Sequence, residues 1–106
     1  MVEVEISREN GHIRGYGTKG HADYGEPGKN IVCAGISALE DGMNCALIEY
    51  DVQYIEYETL GGERNVIIQN PTDITDSIIS VFITGCKRIQ EAYPQCIKVH
   101  DQDMKS

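Results

Sequence analysis

Gly20-His21-Ala22-Asp23-Tyr24-Gly25-Glu26-Pro27-Gly28-Lys29-Asn30-Ile31-Val32-Cys33-Ala34-Gly35-Ile36-Ser37 runs from a glycine-punctuated loop straight into a long amphipathic segment. Gly20, Gly25, Pro27 and Gly28 mark the loop, because glycine reaches backbone angles that other residues avoid and proline cannot sit inside a ladder or helix. From Val32 the apolar residues fall at Val32, Ile36, Leu39, Met43, Ala46, Leu47 and Tyr50, the stripe of a helix packed on one side. Asn30 is a natural N-cap, since its side-chain oxygen accepts from a free N–H of the first turn. The helix is therefore expected from about Ile31 to Tyr50, roughly 30 Å long at 1.5 Å per residue. Gly35, Ala38, Gly42 and Cys45 form a second, small-residue face, and close packing against another element explains the two helix glycines better than a ligand does.

Upstream, Val2, Val4 and Ile6 alternate with Glu3, Glu5 and Ser7, the period-2 pattern of a strand with one buried face. Asn10-Gly11 is a strong hairpin signal, so Ile13 to Lys19 should return antiparallel and deliver His21 to the end of the sheet. Downstream, Val52 to Thr59 reads as a third strand, Leu60-Gly61-Gly62-Glu63 as a turn and Asn65 to Gln69 as a fourth strand paired with the third. Pro71-Thr72-Asp73 starts a second helix, with Ile74, Ile78, Val81, Phe82, Cys86, Ile89 and Tyr93 at helical spacing and Tyr93-Pro94 closing it. Ile97 and Val99 belong to a last short strand, and Asp101 to Ser106 form a polar tail expected to fray. The order ββαββαβ predicts one α+β domain over residues 1–106, a mostly antiparallel sheet of about five strands packed with two long helices.

Seventeen acidic against nine basic residues give a formal charge of −8, which argues against a basic face for nucleic acid and accommodates a basic partner. No apolar run approaches the roughly 18 residues of a membrane span. The first residues already alternate like a strand rather than a signal peptide, and Cys33, Cys45, Cys86 and Cys96 contain no C-x-x-C pair. A cytoplasmic protein without disulfides is the expectation.

Cys33, in the expected first turn, sits among unpaired N–H groups at the positive end of the helix dipole, where thiolate is favoured over thiol. His21, twelve residues earlier, is free in principle to fold back and share a proton with the sulfur. Ser37 lies one turn below Cys33 on the same helix face, where a hydroxyl also back-bonds to a carbonyl four residues earlier. Cys45, Cys86 and Cys96 read as small core hydrophobes, and His12 and His100 as solvated surface residues. His21 and Cys33 supply two metal ligands without a second pair, so no metal is expected, and the glycines lack a phosphate-loop fingerprint. Tyr24, in the loop, is placed to touch a substrate.

At these residues the chain resembles the bacterial ribosomal-processing cysteine proteases, the Prp family, whose pattern is approximately Gly-His-Ala, a loop, then Gly-x-Asp-Ile-Val-Cys-Ala-Ala-Val-Ser-Ala-Leu. Here it reads Gly20-His21-Ala22, then Gly28-Lys29-Asn30-Ile31-Val32-Cys33-Ala34-Gly35-Ile36-Ser37-Ala38-Leu39. The resemblance implies a homodimer that removes the N-terminal extension of a large-subunit ribosomal protein and needs no cofactor. By that comparison His21 and Cys33 match the catalytic pair and Ser37 an accessory position, with Gly20, Asp23, Tyr24, Gly25 and Gly28 in the substrate loop. Asn30 stands where the family has aspartate, which keeps a cap but removes a negative charge that could orient the histidine. The expected activity is a cysteine endopeptidase acting on a peptide, without direct nucleic-acid or membrane binding. The rival from another class is a non-enzymatic acidic α+β module that binds a basic ribosomal or assembly partner, with Cys33 an ordinary helix residue.

Overall fold

The structure, a computed structural model, describes residues 1–20 and 29–102, without the side chains of residues 29, 30 and 102. Five strands and two helices follow in the order β1 (Val2–Glu9), β2 (His12–Lys19), α1 (Lys29–Glu49), β3 (Tyr54–Glu58), β4 (Arg64–Ile68), α2 (Asp73–Ala92) and β5 (Ile97–Gln102). They form one sheet in the order β3-β4-β2-β1-β5. The Asn10-Gly11 hairpin is present, with φ of 53° and 79° at its two tip residues, the left-handed pair that a tight turn between twisted strands requires. The β3–β4 hairpin is also present, pairing Ile55 with Ile67 and Tyr57 with Asn65.

One pairing differs in sense from the rest. β5 runs parallel to β1, with Val2 opposite Ile97 and Ile6 opposite Asp101, so the sheet is mixed although mostly antiparallel. The strand also extends through Asp101 rather than fraying there. Asp101 is held by Arg8 Nε at 2.8 Å and by Lys87 Nζ at 2.9 Å, which ties β5 to both β1 and α2.

The apolar alternation of β1 directs Val2, Val4 and Ile6 to the helices, where they meet Val32, Ile36, Met43 and Leu47 of α1 and Ile79, Phe82 and Ile83 of α2. Tyr16 and Phe82 pack against each other at the centre, with ring centroids 4.9 Å apart and planes tilted by 43°. The two helices pack closely at Gly85, where an added Cβ would collide with the Leu39 side chain. Gly35 also meets its neighbour, since a Cβ there would lie 3.2 Å from Ile89 Cδ1, but Gly42 faces open space and the expected close packing is absent at that residue. The Ile31–Glu49 segment of α1, at mean hydropathy 1.4, is long and apolar enough by composition to cross a membrane, contrary to the expectation that no run approaches that length. Its apolarity includes the stripe buried in the domain core.

Helix α2 starts as expected, with Thr72 accepting from Thr75 N at 3.2 Å and the Thr75 hydroxyl answering Thr72 N at 2.8 Å. Helix α1 starts two residues before the expected Ile31. Asn30 is therefore inside the first turn rather than its cap: loop signals end at Gly28, and lysine, a good helix former, lets the helix propagate back to Lys29.

Candidate active site

The end of β2 and the face of α1 form a cleft of about 190 Å³. On the sheet side it is lined by Val2, Thr18, Lys19 and Gly20, on the helix side by Cys33, Ser37 and Glu40, with Gly62 of the β3–β4 turn also contributing. Gly20 makes this approach possible: its φ is 93°, and a Cβ at that position would run into the carbonyl oxygen of Met1. Cys33 is half-buried and Ser37 exposed, one helical turn apart on the same face. The structure thus brings together three of the expected residues, Gly20, Cys33 and Ser37. His21, Asp23, Tyr24, Gly25, Gly28 and the side chain of Asn30 lie outside the described residues.

With α1 beginning at Lys29, Cys33 is its fifth residue rather than its third. The N–H groups of Lys29, Asn30 and Ile31 have no intrahelical acceptor, and the sulfur stands just inside that turn. All four cysteines are free. Cys86 and Cys96 are buried as expected, and burial, reinforced by the Glu40 carboxylate, pushes the Cys86 thiol up to about 12. Cys45 is exposed rather than a core hydrophobe, because its position on α1 faces away from the buried stripe. Accessibility alone therefore does not separate Cys33 from Cys45, but only Cys33 lies in the cleft beside Gly20.

The two histidines expected on the surface each have a carboxylate partner. His12 Nδ1 is 2.6 Å from Asp76 Oδ2, and Asp76 Oδ1 accepts from Ile13 N at 2.8 Å, so this carboxylate joins the start of β2 to the first turn of α2. Asp73 stands close enough to these two for a three-ligand group, but both Asp76 oxygens are already engaged within the fold. His100 Nε2 lies 3.2 Å from Glu3 Oε1 across the β1–β5 pair.

Glu40 was not among the expected site residues. It occupies the buried stripe of α1 between Ile36 and Met43, and its side chain is 9% exposed. Oε1 accepts from Arg64 Nη1 at 3.1 Å, and Arg64 also engages Glu56. Oε2 is buried with no hydrogen-bond partner among the described residues. The signal was present in the helical spacing, where Glu40 stands four residues after Ile36 and three before Met43 and so places a carboxylate on the apolar face beside Leu39.

The sequence profile of the cysteine protease Prp family matches residues 1–98. The ribosomal processing cysteine protease Prp of Staphylococcus aureus is 30% identical over 104 residues, covering 94% of this chain and 98% of that protein. A crystal structure of Prp from S. aureus in complex with a substrate peptide superposes with a TM-score of 0.79 at 27% identity, covering 96% of this chain and all of that one, 100%. The SMU.848 protein of Streptococcus mutans shares the fold, with a TM-score of 0.78 at 24% identity over 96% of this chain and 94% of its own. A match that runs through both hairpins, both helices and the Cys33 cleft leaves one assignment: this chain belongs to the Prp family and is a cysteine protease.

Proposed function

We propose that this protease removes the N-terminal extension of a large-subunit ribosomal protein, with Cys33 as nucleophile and His21 as acid and base. The observation that carries the assignment of Cys33 is its position in a cleft together with Ser37 and Gly20, the residue that precedes His21 in sequence. The relatives named as ribosomal processing proteases, one of them solved with a substrate peptide, supply the substrate class.

In this mechanism the thiol proton of Cys33 passes to His21 and the sulfur attacks the scissile carbonyl. Free N–H groups of the first turn of α1 stabilise the resulting oxyanion, and the imidazolium returns its proton to the leaving amine as the C–N bond breaks. His21 then takes a proton from water, and the hydroxide so formed releases the acid and restores the thiol. Ser37 is an accessory hydroxyl one turn from the sulfur, and the substrate loop containing Asp23, Tyr24, Gly25 and Gly28 closes over the peptide. We further propose a cytoplasmic, two-fold homodimer.

Incubation with the ribosomal proteins of the host, followed by mass spectrometry, tests this directly. The expected product is one large-subunit protein shortened at its N-terminus by the wild type but not by Cys33→Ala or His21→Ala. Equal shortening by Cys33→Ala would remove the nucleophile assignment.

A further inference from the structure

Glu40 is the buried polar group that the proposed mechanism does not use. One oxygen is committed to Arg64, while the other is buried without a hydrogen-bond partner among the described residues, on a side chain that lines the cleft holding Cys33. The Tyr16 hydroxyl interacts with this same carboxylate, but the hydrogen bond it forms is a long one of 3.4 Å to Asn44 Oδ1, so no donor among the described residues is in hydrogen-bonding geometry with Oε2. Leaving a buried acceptor unmatched costs about 1–3 kcal/mol, so a donor that reaches this oxygen recovers that cost. Burial and the nearby Glu40 carboxylate both push the Tyr16 phenol up, so that hydroxyl stays neutral and adds no charge to the cluster.

Spacing along the helix says where such a donor stands on a peptide. Cys33, Ser37 and Glu40 follow one another at i, i+4 and i+7, so Glu40 lies on the Cys33 face, about 10 Å along the axis at 1.5 Å per residue. An extended peptide rises about 3.3 Å per residue, so a peptide lying along this face with its scissile carbonyl at Cys33 brings its third residue from the cut to Glu40. The local charge says which donor. Glu40 and Glu56 share the single guanidinium of Arg64, which leaves one formal negative charge in the cluster. Lys19, which lines the cleft, stands 3.7 Å from both Glu3 and Glu5 on the sheet.

We propose that Glu40 is a specificity-determining residue whose free carboxylate oxygen accepts a hydrogen bond from a lysine or arginine side chain three residues from the scissile bond. This rests on Cys33 marking the point of cleavage. A charge-assisted hydrogen bond of this kind is among the stronger contacts available to a peptide, and its loss should be felt as roughly a tenfold or larger fall in kcat/KM.

The test is cleavage of a mixed library of 14-residue peptides, read by mass spectrometry, with wild type, Glu40→Gln and Cys33→Ala. In the wild type, cuts should be enriched about tenfold for lysine or arginine three residues to one side of the bond, and among the cuts that Glu40→Gln makes that preference should be flat. Peptides with lysine or norleucine at that position, titrated against Cys33→Ala, provide a binding readout that needs no catalysis, and lysine should bind about tenfold more tightly. If Glu40→Gln does not fold, the wild-type preference and the lysine–norleucine comparison decide alone. Wild-type cuts without that preference, equal binding of the two peptides, or a preference that survives Glu40→Gln overturns the role of Glu40. Continued cutting by Cys33→Ala overturns the nucleophile instead, so the two failures are distinguishable.

Discussion

At Gly20 the backbone has a φ of 93° and the nearest carbonyl, that of Met1, occupies the space a side chain would need. Gly20→Ala should therefore cost at least about 1 kcal/mol of stability. Because Gly20 lines the Cys33 cleft, the same change should lower kcat/KM by tenfold or more, since displacements near 1 Å in a site are that costly. Gly11→Ala is the control: its φ is 79°, nothing lies within 4 Å of an added Cβ, and it is in the β1–β2 turn, so it should destabilise without a matching loss of cleavage. Equal loss of activity in both variants would reduce Gly20 to a stability residue. Asn30 gives a second case in which position changes the sign of an expectation. A cap asparagine replaced by alanine costs about 1 kcal/mol, whereas an asparagine inside a helix is worse than alanine by roughly 0.5 kcal/mol. With Asn30 inside α1, Asn30→Ala should be neutral to slightly stabilising in urea melts, and a loss near 1 kcal/mol would restore the cap. Asn30→Asp should gain about 0.3–1 kcal/mol from the helix dipole and cleave faster if this position orients His21.

Among the elements, β5 is tied to both β1 and α2 through the side chain of Asp101. The Arg8 guanidinium beside Asp101, with Lys87 on its other side, opposes the effect of burial and holds the carboxyl at about 2, below its usual 3.8. A depressed carboxyl stabilises the fold fully above its unfolded value and loses that contribution as pH falls toward the folded one. The window is therefore about pH 4 down to about pH 2, and the amount is at most about 2.5 kcal/mol, at roughly 1.4 kcal/mol per pKa unit. Asp101→Asn should be less stable than the wild type at pH 7 by urea denaturation, and the gap should close as pH falls through this window. A constant gap would separate Asp101 from the acid sensitivity. The same element shows where sequence stops. Asn10-Gly11 and Thr72 state their structures locally, through a left-handed turn and a hydroxyl cap, and both were legible. Alternation at Ile97 and Val99 reveals a strand but names no partner, so neither the parallel pairing with β1 nor the ion cluster that holds it could be read. Cys33 and Ser37 were legible as neighbours because helix spacing is local, whereas the proximity of Gly20 depends on how β2 docks against α1. Glu40 was obscured because the stripe was traced through apolar residues only.

For the molecule as a whole, an open sheet leaves two outer strands, here β3 and β5, each with one side that no other described strand covers. Large apolar side chains are also exposed on both helices, including Ile31 and Ile48 on α1 and Ile74 and Val81 on α2. A chain this small with such surfaces is expected to associate, and closed two-fold symmetry is the commonest outcome. The charge sets how the association should respond to salt. Each chain carries a formal −8, so two copies repel over the Debye length, which shrinks from about 30 Å at 0.01 M to about 8 Å at 0.15 M ionic strength. Apolar and backbone contacts between the copies are not weakened by that screening, so the dimer should tighten as salt is added. Sedimentation equilibrium from 1 to about 100 µM protein at these two ionic strengths reads both quantities, with Cys33→Ala used to prevent self-cleavage. A dimer mass whose dissociation constant falls at the higher salt is the expected result. A monomer mass throughout would dismiss the dimer, and a dimer that loosens with salt would place opposite charges across its interface.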